Sequence, residues 1–496
     1  MTDSLLDLSI DLPAPLNPPF PERPVLSELG AVHFVGIGGA GMSAVARLML
    51  SAGMSVSGSD QSESPALASL RELGAKVSVP QSAENIAGAD TVVISTAIQE
   101  TNPELAEARA RGLRILHRSE ALAATMRDSQ VIAVAGTHGK TTTSSMMSVM
   151  FDGLGLAPSF AVGSTIAGFN TNAHLGAAGP GSWFVAEADE SDGSFVRYRP
   201  EIAVITNAEP DHLDFYGTDE RVFEAFHRFI SSMAPGGVFV TCADDRGSAL
   251  LASRALAAGV HVVTYGESED AMVRITGITS EGTECSSNLV WDFTVAHKAH
   301  SGHITLTLPV PGIHNQLNAT AAFVCALIAG ASPEAAVGAL SQFSGTDRRF
   351  TLRGEAAGVK VFDDYAHHPT EVHRALETGR TVAEGHNLYV IFQPHLFSRT
   401  KEFAREFAES LAQADRSYVV DIYPAREQPI EGVTSHLITD AGFSEVHYAA
   451  NVDEALDALV AAALPGDIIM TVGAGDVTNL GQVLVHKLSD RESVRG

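Results

Sequence analysis

Cysteine is scarce in this chain. Cys242, Cys285 and Cys325 are the only ones among 496 residues, and none stands at a metal-ligand spacing from another. That excludes a disulfide framework and a cysteine-built zinc site, and it suits a reducing compartment. Positive charge is also short: 32 Lys and Arg face 59 Asp and Glu, a formal net charge of −27. A surface of that sign repels nucleic-acid phosphates and anionic membranes, so no nucleic-acid partner is expected. A nucleotide ligand is compatible with this balance, because it needs only a local positive pocket. Long apolar runs are missing too. The longest, Ala319 to Ala331, includes Thr320 and falls short of the ~20 residues that cross a bilayer. We expect a buried helix there and no membrane insertion. The chain does not open with a basic stretch followed by an apolar one, so no secretory signal is read and a cytoplasmic location is expected.

What is present is an α/β pattern long enough for roughly three domains of about 150 residues each. Residues 1–27 hold Pro13, Pro15, Pro18, Pro19, Pro21 and Pro24 with little periodicity, which predicts a flexible N-terminal tail. From Ala31 onward, short β-branched runs alternate with Ala/Leu-rich amphipathic segments. Ala31–Val35, Thr91–Ser95, Val131–Ala135, Phe184–Ala188, Ile202–Asn207, Gly237–Cys242 and Val260–Tyr265 read as strands of mainly parallel sheets with crossover helices. Between Ala271 and Leu308, strand-like pieces follow one another directly, which predicts an antiparallel excursion. Near Val359 the α/β pattern resumes, with strands at Leu388–Phe392, Tyr418–Ile422 and Asp467–Val472. The expected division is 28–127, 128–346 and 347–496.

The first strand runs into Gly36-Ile37-Gly38-Gly39-Ala40-Gly41 and then a helix beginning near Met42. Glycines at this spacing let backbone N–H groups approach a pyrophosphate at the positive end of a helix. The next strand ends at Ser59-Asp60, an acid roughly 20 residues on that can bond a ribose hydroxyl. These features read as pyrophosphate plus ribose, which fits NAD, FAD or a UDP-sugar, with a nicotinamide dinucleotide the first choice on this loop alone. A ligandless tight turn is the bland reading.

A second glycine loop, Gly136-Thr137-His138-Gly139-Lys140-Thr141-Thr142-Thr143, follows Val131–Ala135. The long P-loop form requires glycine where Val134 stands, so this is a shortened version. Its chemistry is unchanged: backbone N–H groups cradle phosphates, Lys140 reaches the β- and γ-phosphates, and the Thr141 hydroxyl faces Mg²⁺. The strand at Phe184 runs into Glu187-Ala188-Asp189-Glu190-Ser191-Asp192, and the next ends at Asn207-Ala208-Glu209-Pro210-Asp211-His212-Leu213-Asp214. Carboxylates at strand C-termini face the ligand crevice of a parallel sheet, and Mg²⁺ prefers carboxylate and phosphate oxygens. Glu187 is therefore a metal candidate, and His212 is a second ligand or a proton acceptor. Some of the remaining acids are ordinary solvated loop residues.

The order of these motifs, together with Pro311 to Asn318, Asp347-Arg348-Arg349-Phe350, Asp363 to Glu371 and Phe392-Gln393-Pro394-His395, resembles the Mur ligase family. Within it the chain is most similar to the branch that adds L-alanine. The resemblance runs from about Ala31 to the C-terminus. It implies an N-terminal Rossmann-like domain for the UDP part of the substrate, a central ATP-binding domain of P-loop type, and a C-terminal Rossmann-like domain that closes over both. The activity it implies is ATP-dependent joining of L-alanine to UDP-N-acetylmuramate, with a pair of Mg²⁺ ions, in a monomer or weak homodimer.

By the same resemblance, Gly36 to Met42, Ser59, Asp60 and Ser95-Thr96-Ala97 meet the UDP-sugar, and Gly136 to Thr142 hold the ATP phosphates. Thr141, Glu187 and His212 hold metal. Asn315, supported by His314 or Asn318, meets adenine; Arg349 reaches the γ-phosphate and Asp364 the ATP ribose. Tyr365, His367, His395 and Arg399 line the muramoyl-carboxylate and alanine site. Two departures stand out. Relatives in other branches carry a carbamylated lysine after the Asp-His motif. Here no lysine lies between Asp211 and Gly237, and His227 stands near that place, so no such modification is expected. Leu396 replaces the arginine that often follows Gln-Pro-His, which shifts weight to Arg399.

A dehydrogenase would leave the second glycine loop and the acid cluster without a task. A nucleotide-driven switch would leave the first loop idle. The nearer rival is a family member that attaches a whole tripeptide to the same UDP-sugar. That branch typically has Tyr where Ser191 stands, and the run from Asp421 to Glu427 also favours the alanine branch.

Overall fold

The computed structural model describes Leu12, Leu16 and residues 20–295, 297–425 and 427–495. Arg426, part of the run quoted above, lies outside them, as does most of the proline-rich start. Where that stretch is described, Arg23 donates to the carbonyls of Tyr198, Met126 and Arg199 at 3.0, 3.0 and 2.7 Å. This end of the expected tail is docked.

The described residues form three sheets of five, ten and six strands and cluster into two compact units. One unit is made of residues 1–277, 287–306 and 317–343; the other holds 278–286, 307–316 and 344–496.

In the first unit the N-terminal sheet is parallel and centred on Val32–Val35, which pairs with Val56–Ser59 on one side and Thr91–Ile94 on the other. All four residues of Val32–Val35 are buried, as expected for a strand covered by helices on both faces. Strand order reverses on either side of it, so the loops at 36–41 and 95–97 open at a topological switch point, where α/β sheets bind ligands. Helix Ala40–Ser51 follows the glycine loop and buries Met42, Val45, Leu48 and Met49. One apolar core joins these side chains to Phe195, Tyr198, Phe226 and Phe229 of the central region.

Gln130–Ala135 lies inside the ten-stranded sheet, parallel to Trp183–Glu187 on one side and Ile202–Ile205 on the other. Their C-terminal ends therefore emerge side by side. The excursion after residue 271 consists of Val273–Glu281, Glu284–Val295 and Lys298–Leu308, consecutive neighbours in the sheet. Links of two residues between them fit antiparallel hairpins only, because a parallel return needs a crossover of a dozen or more residues. The burial of Glu284–Val295 alternates residue by residue, the mark of a strand with one wet face. Ala319 lies on the helix Ile313–Ile328. Among the described residues no helix is long and apolar enough to cross a membrane.

In the second unit, Val359–Asp364, Ile468–Val472, Leu388–Phe392, Arg416–Val419 and Val446–Tyr448 form a parallel set. Thr351–Ala356 is added antiparallel at the edge.

Candidate active site

The first glycine loop is built by its neighbour strand. Gly36 and Ile37 both donate their N–H to the Ser59 carbonyl, at 2.8 and 2.9 Å. Asp60 accepts from the Gly38 N–H at 2.9 Å and from Gln61 N–H at 2.8 Å. A Cβ on Gly38 would stand 2.7 Å from the Asp60 carboxylate. Asp60 thus holds the turn with lone pairs left over. Ser59 in turn is held by a fully buried carboxylate: its hydroxyl donates to Glu104, which also takes Asn85 Nδ2 at 2.8 Å. Ser95 is half-buried beside this loop, and Thr96 and Ala97 are exposed.

The phosphate loop is clamped from the adjacent strand. Asn207 accepts from His138 N–H at 2.8 Å and donates to His138 O at 3.0 Å. Thr137 donates its hydroxyl to the Glu209 carbonyl at 3.0 Å. Gly136 has φ +125°, and a Cβ there would collide with the Thr206 hydroxyl. Gly139 has φ +83°, with Asn318 Oδ1 only 2.7 Å from where its Cβ would be. Both positions therefore exclude other residues. Asn318 consequently lies against the phosphate loop. The helix Lys140–Gly153 begins directly after Gly139, so its positive end faces the loop.

Lys140 is half-buried and folded back. Its ammonium donates to Gly136 O at 2.6 Å, Thr137 O at 3.2 Å and Glu190 Oε1 at 2.8 Å. Burial opposes the charge, but Glu190, Asp189 and Glu187 more than offset it and raise the Lys140 pKa. Glu190 is 2 % exposed, and its Oε2 is buried with no hydrogen-bond partner. His212 approaches from the third loop, with Nε2 3.9 Å from Glu190 Oε1 and 3.8 Å from Asp211 Oδ2. Its left-handed backbone, φ +55°, turns the chain into the short helix Leu213–Tyr216. The Tyr216 hydroxyl donates to the Glu190 carbonyl. Glu187, at the end of its strand, accepts from Gly163 N–H at 2.6 Å. Thr141 and Thr142 are buried at the helix start.

Arg118 links the first glycine loop to the acid loop that follows Trp183–Glu187. It would crowd a Cβ on Gly41 at 2.9 Å, and its Nη2 is 3.9 Å from Asp189. Burial works against its charge, but Tyr198, Asp189, Asp192 and Glu187 raise its pKa overall. Neither Arg118 nor Glu190 was assigned a role from sequence. Glu190 stood among quoted acids without distinction. Arg118 belongs to no motif; its only signal is a cation at the start of a helix that follows a parallel strand.

The second unit gathers its own set around the C-terminal ends of Val359–Asp364 and Leu388–Phe392. Asp364 accepts from Phe350 N–H and Ala366 N–H, both at 2.8 Å. Burial, resisted by Arg349, pushes its pKa up to about 6. The Arg348 and Arg349 guanidiniums lie 4.7 and 5.4 Å from the Tyr365 ring centre. Arg349 is also 3.7 Å from Glu371. His367 Nδ1 is 3.0 Å from the Tyr365 carbonyl and 3.3 Å from Glu371. Its pKa falls to about 3, chiefly by burial, with Arg399 and His395 adding to the effect against Glu371. The His367 and His395 rings meet edge-on at 5.7 Å, and His395 stacks on Tyr423 at 5.9 Å. Arg399 is buried nearby. His314 falls to about 4, mainly by burial, and Asn315 Nδ2 donates to Pro311 O at 2.6 Å.

The structure thus brings the phosphate-loop, acid and His212 groups together in one unit and the Arg349, Asp364, Tyr365, His367 and His395 groups together in the other. Comparison with known proteins bears on the whole chain. Residues 31–130 match the Mur ligase family catalytic domain, 134–326 the Mur ligase middle domain, and 348–475 the Mur ligase glutamate ligase domain. A UDP-N-acetylmuramate–L-alanine ligase of Renibacterium salmoninarum is 54% identical over 94% of this chain and 97% of its own length. One from Mycolicibacterium gilvum is 46% identical over 94% and 98%. The crystal structure of the UDP-N-acetylmuramate–alanine ligase of Thermotoga maritima superposes with a TM-score of 0.75 at 30% identity, covering 94% of this chain and all of that one. With matching domains in the same order and relatives alike over nearly the full length, the chain belongs to the Mur ligase family.

Proposed function

We propose that this chain uses ATP to join L-alanine to the lactyl carboxylate of UDP-N-acetylmuramate, a step of peptidoglycan precursor synthesis. The observation that carries the reading is the convergence of Lys140, Glu190 and His212 on one phosphate loop, in a chain whose relatives are named for this reaction.

A carboxylate and an amine do not condense in water without activation. In this reading the lactyl carboxylate attacks the γ-phosphate and forms an acyl phosphate, which the alanine amine then opens with release of phosphate. Such a transfer needs positioning and charge neutralisation more than covalent help. Lys140 and Arg349 supply positive charge. Thr141, Glu187 and His212 offer hydroxyl, carboxylate and imidazole donors, and the unpartnered Glu190 oxygen adds a buried negative site, so the donor set fits divalent cations. Mg²⁺ bound there would neutralise the phosphate oxygens. The first glycine loop, Asp60 and Ser95 to Ala97 hold the UDP part. Tyr365, His395 and Arg399 hold alanine and the muramoyl carboxylate. His367, at about 3, is too weak a base to take the amine proton and is assigned to positioning. The acyl phosphate is labile in water, so the reaction requires water to be kept from it. The reading implies a cytoplasmic enzyme acting as a monomer or weak homodimer.

The test is phosphate release from ATP and Mg²⁺ with UDP-N-acetylmuramate, with L-alanine added or withheld. Release that needs both substrates, with a product heavier by one alanine residue, supports the reading. Release with a tripeptide but not with alanine would move the chain to the recycling branch.

A further inference from the structure

Lys140 occupies all three ammonium hydrogens on Gly136 O, Thr137 O and Glu190 Oε1. It cannot reach a phosphate without giving up acceptors. The most consequential of them is Glu190. That carboxylate is almost fully buried and has one oxygen already without a partner. If the ammonium leaves with nothing in exchange, an unpaired charge remains in the interior, which is strongly unfavourable. Asp189, a second carboxylate beside Lys140, makes the deficit of positive charge worse. A cation arriving as the lysine departs removes that deficit. Among the described residues, Lys140 and His212 are the groups of positive character that face Glu190, and His212 is itself a metal candidate.

We propose that Glu190 is a charge-exchange latch: it holds Lys140 off the phosphate site in the nucleotide-free enzyme and releases it when a divalent cation takes the lysine's place. The latch makes nucleotide and metal bind as a coupled pair. It also makes Glu190 a positioning residue that acts through Lys140. The inference rests on the ATP reading above and deepens it.

The experiment measures ATP affinity of the full chain by calorimetry without UDP-sugar, so that nothing turns over, first in EDTA and then in Mg²⁺. In the wild type, Mg²⁺ should tighten ATP by about tenfold or more, within the usual span of coupling between two ligands. In Glu190→Gln the ratio should collapse, mainly because metal-free ATP binds more tightly once Lys140 is unlatched. Mn²⁺ bound in the presence of ATP, followed by paramagnetic resonance, should weaken in the same variant. His212→Ala should likewise weaken Mn²⁺ bound in the presence of ATP. Glu190→Asp keeps the charge at shorter reach and should give an intermediate ratio. Thermal melting identifies the folded variants. A wild-type ratio in either folded Glu190 variant overturns the latch, as does metal-independent ATP binding by the wild type. A wild type that binds no ATP under any condition would instead sink the ATP reading itself.

Discussion

His367 is an imidazole that the fold keeps neutral. Its pKa of about 3 in the folded chain, against an ordinary 6.5, means the unfolded chain binds the extra proton first. Between those values the unfolded state carries more protons, so this residue's contribution to stability rises with pH and is lost as pH falls from 6.5 toward 3. We expect the His367 ring signals in an NMR titration to stay flat from pH 8 to about pH 5; a midpoint near 6.5 would contradict the burial argument. Asp364 behaves differently. It caps two backbone N–H groups, and each buried donor left unsatisfied costs ~1–3 kcal/mol. Its raised pKa shows that the charged form is itself disfavoured, so the net loss for Asp364→Ala lies near the low end, ~2 kcal/mol. Denaturant unfolding at neutral pH measures it, and Asp364→Asn, which keeps an acceptor, should recover part of the loss.

Residues of this kind also mark how far sequence alone reaches. Lys140, His212 and Asp364 stand in motifs, and their neighbourhoods were legible. Arg118 was not, because a lone cation acquires meaning only when folding brings it against Gly41 and Asp189. Asp60 was read as a ribose partner, yet it also builds the turn, a bond between residues whose geometry no spacing specifies.

Among elements, the buried parallel strands were the most legible. Leu388–Phe392 was read to the residue, because a short β-branched and aromatic run in a buried sheet has nowhere else to go. The pair Ser159–Ile166 and Thr171–His174 was missed. Its Gly, Ser and Thr content and irregular burial hide the period of two on which strand reading depends. Thr351–Ala356 was missed for a related reason: it is an edge strand, largely half-exposed, with Gly354 at a register shift. The phosphate loop gives a prediction at this scale. Gly139→Ala adds a Cβ at φ +83° and 2.7 Å from Asn318 Oδ1. We expect it to destabilise by more than ~1 kcal/mol and to weaken ATP binding, read together by thermal melting and calorimetry. Unchanged affinity in a folded protein would show that the loop tolerates a different path.

At the scale of the molecule, the sequence suggested three domains and the structure has three sheets, but compactness groups them as two units. The reason lies in a core that the N-terminal and central sheets share, from Met42 and Val45 to Phe195 and Tyr198. Sequence patterns report each sheet's own period and are blind to a core built between them. We therefore expect calorimetry to resolve two unfolding transitions. UDP at about 100 times its Kd should raise only the one belonging to the first unit, by ~2.7 kcal/mol of added stability. Equal shifts of both transitions would contradict the division.

The Asn207 clamp has a consequence for how such a chain can change through time. His138 and Asn207 are 69 positions apart, yet one side chain fixes the shape of the loop that the other belongs to. Insertions between them cost little in closure entropy, since that grows only slowly with length, and Gly179 and Gly181, with open space where a side chain would stand, offer room. A single-residue insertion within Ile202–Ile205 is another matter, because the register slip would carry Asn207 away from the loop it clamps. Heritable variation in length is therefore free to accumulate in the surface loops of this region and is barred from its strand ends.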